Sequence, residues 1–326
     1  MQLSHIAAFI GNSLSIAVFI KLGFSESSNI SLTALAVADL VCVVSAFWSN
    51  LCFLLNFRQS ILPFNATNMA LLTGSGLWAF VSRTVAWITA FISLERCLCI
   101  LVPLKVKRII TPRSTLIAMV CICALTFCPF LSSFFTYSFV WVYYFHLNAT
   151  ILDVVPSSNK YAILLEKIVF VVCGVIQPLV AFSIVLVCTV FLVVQLRKMS
   201  SWRKSVTSAK GHWGHNSGEN PASSAPAVQD RISQKEERLV RMVVVIAITF
   251  IACFTPTCVM LLCSTVFEEL YFFGVYRRLF VVCGMIAILG QSVSGSVNIV
   301  IYYIMTSRFR SSLRCILGLD RQEEKH

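Results

Sequence analysis

The chain has 326 residues, 58% of them hydrophobic and 12% charged, with a mean hydropathy of +0.83. That leaves too little polar surface to cover a water-soluble globule of this size, so the chain is read as a membrane protein. The net charge of +12 comes from cations that gather on one face of the topology, an inner-leaflet signature that makes a nucleic-acid partner unnecessary.

Crossing a hydrocarbon core of ~30 Å takes about 20 apolar helical residues. Segments of that size run near 3–22, 29–54, 68–101, 113–135, 163–196, 238–265 and 278–304. The predicted fold class is therefore an all-α membrane protein, a seven-transmembrane helix bundle. It divides into a seven-span domain over 1–305 and a short amphipathic helix with a cytoplasmic tail over 306–326. Of the 26 Lys and Arg residues, 20 fall on one side, including Lys21, Arg96, Lys105, Arg113, the basic residues of 197–241 and those of 308–325. Because cations collect on the cytoplasmic side, the N-terminus is expected outside and the C-terminus inside.

In chain order, each span carries one polar or helix-distorting element. The first holds Gly11-Asn12 and begins almost at Met1, so either it is its own signal anchor or the sequence lacks its beginning. The second holds Leu35-Ala36-Val37-Ala38-Asp39, with Asp39 deep enough that it must face the interior and be paired, neutralised or bound to a cation. The sequons Asn65-Ala66-Thr67 and Asn148-Ala149-Thr150 fall in outer loops as glycosylation candidates, whereas Asn29-Ile30-Ser31 falls inside.

The third span ends in Glu95-Arg96-Cys97. A permanently charged guanidinium there needs a carboxylate, carbonyl or water, and an exchangeable partner would make it a switch; a snorkelling arginine is the plainer reading. The same span carries Arg83, thirteen residues earlier and ~20 Å along a helix. Two readings stand for Arg83: it receives an anionic ligand group, or it is a structural arginine bonded within the bundle. Trp78, Trp87, Gln177, Phe254 and Gln291 join it as candidate ligand-pocket residues, beneath a rim of Glu166, Glu268, Glu269, Arg277 and Arg278 that suits a short peptide.

The aromatic run 139–145 reads either as a strand or hairpin over the bundle mouth or as a membrane anchor. Pro178 and Pro256 each remove a backbone hydrogen bond and should kink the fifth and sixth spans. The stretch 197–237 has no apolar periodicity and is expected to be a disordered inner loop. Arg308 to Leu317 reads as a basic amphipathic helix on the inner surface, with Cys315 a palmitoylation candidate.

Taken together, Gly11-Asn12, Leu35 to Asp39, Glu95-Arg96-Cys97, Pro178, Phe250-Ile251-Ala252-Cys253-Phe254-Thr255-Pro256 and Asn298-Ile299-Val300-Ile301-Tyr302 resemble the ordered landmarks of rhodopsin-like (class A) G-protein-coupled receptors. The stretches Trp87 to Ile100 and Pro103 to Lys107 look like those of orphan invertebrate receptors described as chemosensory or neuropeptide-like. The resemblance implies an extracellular ligand, peptide-like or a small molecule, a heterotrimeric G protein, and a multi-pass place in the plasma membrane.

It also implies roles. Glu95 and Arg96, with Glu236 on the sixth helix, would form an inner ionic lock, although Glu236 reads equally as part of a solvated charged turn. Phe250, Phe254, Pro256, Asn298 and Tyr302 would form the activation switch. Asn12, Asp39 and Asn298 would form a polar core that either takes Na+ at Asp39 or is a water-linked network.

Departures from the pattern are Cys97 for tyrosine, Phe254 for tryptophan, Ile299 for proline, Leu186 for the fifth-helix tyrosine and Val85 for a third-helix serine. No cysteine lies between Cys128 and Cys173, and Leu71 stands where the third-helix cysteine would be, so the family's outer-loop disulfide cannot form. The seventh span has no lysine, which argues against an opsin, and 68–94 has no acid, which argues against an amine ligand. The rival reading is a transporter or channel with Asp39, Arg83 and Arg96 along its path; no His and acid cluster suggests an enzyme.

Overall fold

The structure is a computed structural model that describes residues 2–54, 62–145, 148–212, 224–267, 269–270 and 275–319, with only the backbone described over 199–212 and 224–236. Seven helices are long and apolar enough to cross a membrane. They are α1 (Gln2–Leu22), α2 (Ser27–Phe53), α3 (Leu77–Leu101), α4 (Pro112–Leu131), α5 (Gln177–His212), α6 (Ser224–Val266) and α7 (Arg277–Met305), followed by the short α8 (Ser307–Ile316). Helix α3 is led in by a turn at Ala66–Met69 and a π-helical segment at Ala70–Gly76, and α5 by a helix at Lys160–Val169 and a second π-helical segment at Phe170–Ile176.

Local chemistry explains several helix starts. Pro112 opens α4 behind a reciprocal capping box between Thr111 and Ser114. Asn65 and Asn159 cap the lead-in helices with their side-chain oxygens. Inside the spans, Ser15, Thr89, Ser93, Thr189 and Thr249 donate to carbonyls one turn back, which satisfies their hydroxyls without water.

The bundle closes through contacts of α1 with α2 and α7, α2 with α3 and α4, α3 with α5, α5 with α6, and α6 with α7. Its core runs through Leu35, Ile88, Val185, Leu192, Ala247, Phe250 and Tyr302, while Leu116, Ile117, Val120, Leu125, Val187 and Val190 turn outward. An outward apolar skin is what contact with lipid requires.

Helix α8 is amphipathic as expected. Phe309 and Leu313 are buried against the bundle, Phe309 packing on Phe19 and Tyr302 at centroid distances of 5.4 and 5.5 Å. Of the inner stretch 197–237, expected to be disordered, the backbone is helical to His212 and again from Ser224, and 213–223 lie outside the described residues.

Above the bundle, Tyr137–Tyr144 (β1) and Ala149–Pro156 (β2) pair antiparallel with Trp141 opposite Leu152. The aromatic run is thus one strand of a hairpin. On the side away from β1, Leu152 bridges Phe64, and the backbone bonds Asn65 N–H to Leu152 O and Leu152 N–H to Pro63 O hold the hairpin against the lead to α3.

Helices α6 and α7 come close at Gly290, where a Cβ would lie 2.6 Å from the carbonyl oxygen of Cys253. Substituting Gly290→Ala should therefore cost about 1–3 kcal/mol through overpacking and lower the thermal unfolding midpoint. Gly284→Ala, whose Cβ meets nothing within 4 Å, should leave the midpoint unchanged or raise it. Equal midpoints for the two variants would show that the helices are not in close contact at Gly290.

Candidate functional site

Four levels of polar chemistry stack from the outer mouth to the inner face. At the mouth, Asp153 of β2 is 4% exposed and accepts from Asn68 Nδ2 at 2.8 Å, Asn65 Nδ2 at 3.3 Å, its neighbour Val154 N–H at 2.7 Å and the Tyr144 hydroxyl. The bond to Asp153 holds the Tyr144 phenol above its usual range, so it stays protonated and donating at physiological pH. Four donors from three segments make a tether between the hairpin and the start of α3, where the resemblance would have placed a disulfide.

This tether separates the two outer sequons. The Asn65 amide nitrogen is committed to Asp153 and Tyr144, whereas Asn148 is exposed at the hairpin tip with a φ of 47°. Among the described residues, only the oxygen of the Asn148 amide has a partner, the Tyr143 hydroxyl at 2.5 Å.

One level in, Arg83 and Trp87 of α3 and Gln177 of α5 lie on two helices that pack on each other, with Arg83 Cζ 4.3 Å from the centroid of the Phe80 ring. Trp78 is buried in the core cluster. Phe254 is buried and stacks on Phe250 at 4.9 Å, with Phe182 of α5 at 6.3 Å. Gln291, expected beside the ligand, faces elsewhere: its amide donates to Asp39. Of the rim residues, Glu268 and the Arg277 side chain lie outside the described residues, and Glu166 accepts from Tyr137.

At mid-depth, Asp39 is 2% exposed and receives Gln291 Nε2 on one oxygen at 3.1 Å and Asn298 Nδ2 on the other at 3.0 Å. Asn12 lies beside it but donates to Ala8 O of its own helix at 2.9 Å. A Cβ on Gly295 would sit 3.3 Å from both Asn12 Nδ2 and Asp39 Cγ, which brings α1, α2 and α7 together there. Tyr302 is fully buried, edge-on to Phe19 at 5.3 Å.

At the inner face, Arg96 is 9% exposed, and its Nη2 donates to Glu95 at 2.7 Å and to Ser28 Oγ at 2.8 Å. These residues line a cleft with Ser31, Leu239, Met242 and Val243, so α2, α3 and α6 meet there. The Glu236 side chain lies outside the described residues; the next residue, Glu237, is buried and pairs with Arg241 at 2.8 Å. Cys97 donates to the Cys188 carbonyl at 3.6 Å, and Leu186 points outward. Cys315 is exposed, its sulfur 2.8 Å from Lys21 Nζ.

Residues 11–293 match the family described as 7 transmembrane receptor (rhodopsin family). The chain belongs to that family. No curated protein matches it. As a rhodopsin-family receptor it is a multi-pass membrane protein that answers an extracellular ligand and signals through G proteins.

Some of the receptor's key residues carry little sequence signal. Ser28 has none, since one serine among several near a helix start does not reveal that an arginine will reach it. Asp153 had one: it is the sole acid between Glu95 and Glu166, in an otherwise apolar and aromatic loop. A further cluster joins His5, Asn50 and Ser292, with Asn50 Nδ2 and Ser292 Oγ at 3.0 and 2.9 Å from the two ring nitrogens.

Removing the Asp153 carboxylate leaves its donors unmet at about 1–3 kcal/mol each. In Asp153→Ala, amide hydrogen exchange in Ala149–Pro156 should accelerate at least about 100-fold, while a reducing agent should leave the wild-type hairpin unaffected. Reductant-sensitive protection in the wild type would point to a covalent tether. Glycosidase treatment should shift the wild type and Asn65→Gln alike but not Asn148→Gln; a shift lost in Asn65→Gln would show that the tether leaves the Asn65 amide free.

Proposed function

We propose that this receptor binds a short peptide or a chemosensory small molecule in the outer half of the bundle and activates a heterotrimeric G protein through movement of α6 about Pro256. The observation that carries the reading is the Arg96 clasp. A buried guanidinium held by Glu95 and Ser28 heads a cleft whose opposite wall is α6. Parting that wall would give the arginine to a transducer. Asp39 and Arg96 are held by separate partners at different depths and Arg83 shares neither set, which favours a receptor over a translocation path.

Orientation with the N-terminus outside is supported by the cations that share the inner end, where Lys21 meets Cys315 and Arg308 pairs with Glu26 at 3.1 Å. Cys315 is exposed on this face, as acylation requires.

At Asp39 we favour a direct clamp over Na+. Both carboxylate oxygens face amide N–H groups, and Val85 supplies no oxygen from α3. A sodium ion needs oxygens turned toward it, so the amides take the compensating role and the polar core is a direct amide-to-carboxylate clamp.

Nucleotide exchange on a panel of Gα subunits tests both points. A hydrogen bond to a charged group contributes about 1.5–3 kcal/mol, so Ser28→Ala should raise basal exchange about 10-fold or more, and adding Arg96→Ala should abolish the gain. If Glu236→Ala raises exchange and Ser28→Ala does not, the resting clasp runs to α6 instead. Replacing NaCl with KCl should leave basal exchange unchanged; suppression specific to sodium would establish a cation at Asp39.

A further inference from the structure

The outer half of the bundle holds three buried polar atoms with no hydrogen-bond partner among the described residues: Arg83 Nη1, Trp87 Nε1 and Gln177 Oε1. Arg83 and Trp87 are four residues apart, on one face of α3. Gln177 follows Cys173 by four residues on the segment that leads into α5. Because α3 and α5 cross in the same direction and pack on each other, Trp87 and Gln177 lie one turn inward of Arg83 and Cys173. The π-helical segment Phe170–Ile176 ends at Gln177; such irregular turns recur at functional sites.

The inventory is two donors, one of them permanently charged, and one acceptor. The described side-chain carboxylates inside the helices have other partners: Asp39 with Gln291 and Asn298, Glu95 with Arg96, Glu166 with Tyr137, and Glu237 with Arg241, while Glu269 is exposed in the outer loop. The Phe80 ring face lies against the guanidinium but supplies no anion. An unpaired cation at this depth is costly, as is each unmet dipole beside it. A structural arginine would instead bond to carbonyls or acids.

We infer that this cluster binds a carboxylate that carries its own adjacent N–H or O–H. The carboxylate meets Arg83 and the Trp87 N–H through charge-assisted bonds, and the adjacent donor meets Gln177 Oε1. The inference rests on the receptor reading and narrows its ligand. A carboxamide offers the same acceptor and donor but leaves the guanidinium uncompensated, so the site selects the acid over the amide. Two sources have this chemistry: the free C-terminus of a peptide, with its last backbone N–H, and a free amino or hydroxy acid.

The test uses the full receptor in lipid nanodiscs and reads thermal unfolding for wild type, Arg83→Met and Gln177→Leu. Probes are N-acetylglycine, N-acetylglycinamide, propionate, glycine and an acetylated tripeptide acid at millimolar concentration. Without a probe, Arg83→Met should melt at or above the wild type. N-acetylglycine should raise the wild-type midpoint by about 1–3 °C, and its amide should not. Its advantage over propionate should vanish in Gln177→Leu.

A larger shift from the tripeptide acid assigns the site to a peptide C-terminus, and a larger shift from glycine assigns it to a free small acid. The proposal is overturned if Arg83→Met melts well below the wild type, or if acid and amide act alike, including when neither acts. Basal nucleotide exchange on the same preparations keeps the two readings separable. Exchange without acid selectivity sinks this ligand assignment alone, whereas absence of exchange from every variant counts against the receptor reading.

Discussion

Lipid offers a buried carboxylate nothing, so Asp39 must be met by the protein itself, and the way it is met organises the bundle. Gln291 and Asn298 stand two turns apart on α7 and each supplies an amide N–H to one oxygen. The pair clamps α2 to α7 at mid-depth and fixes the rotation of α7 about its axis. Gly295, between them, lets α1 and α2 close in without a side chain in the way. The same rotation buries Tyr302 against Phe19 and Phe309 and brings α8 with it.

Against that satisfied clamp, the unmet polar atoms stand out by position. Hydroxyls along the spans return to their own helices, so a buried group without a partner is the exception. The exceptions fall at two main levels. Arg83, Trp87 and Gln177 lie on the packed pair α3 and α5, whereas Glu95 Oε2, Thr115 Oγ1, Asn298 Oδ1 and Tyr302 OH lie from the polar core inward. An unmet group costs about 1–3 kcal/mol, so an arrangement that supplies partners gains on one that does not. On the proposed reading the outer set is met by a ligand and the inner set by a rearrangement, and helices α3, α5 and α6 connect them.

The seven spans, the amphipathic α8 and the interior placement of Asp39 were legible because each rests on composition or on periodicity within one segment. What depended on the rotation of one helix against another was not. Gln291 looked like a pocket residue because its depth is right, but its face is set by the clamp on Asp39, a contact 252 positions away. The tether at Asp153 joins three segments and needs β2 in register with β1 before its donors converge. The missing disulfide was readable as an absence, but the hydrogen bonds in its place were not. Ser28 illustrates the same limit, since its role exists only through the reach of Arg96.

The mechanical consequence falls on α6. Pro256 has no N–H for the carbonyl of Ala252, so the helix is weakest there, and Gly290 of α7 abuts the very next carbonyl, that of Cys253. Just inward of the weak point, Phe254 and Phe250 stack, with Phe182 of α5 against Phe254. Further inward, Leu239, Met242 and Val243 close on Arg96. The outer part of α6 is therefore steadied at α7, while its inner part is held by aromatic packing and by the Arg96 cleft. A ligand that draws α5 toward α3 at Gln177 moves Phe182 five residues further along the same helix and so disturbs Phe254. On the proposed reading, the close approach at Gly290 keeps the hinge from moving toward α7, so the displacement is expected as a swing of the inner segment away from Arg96.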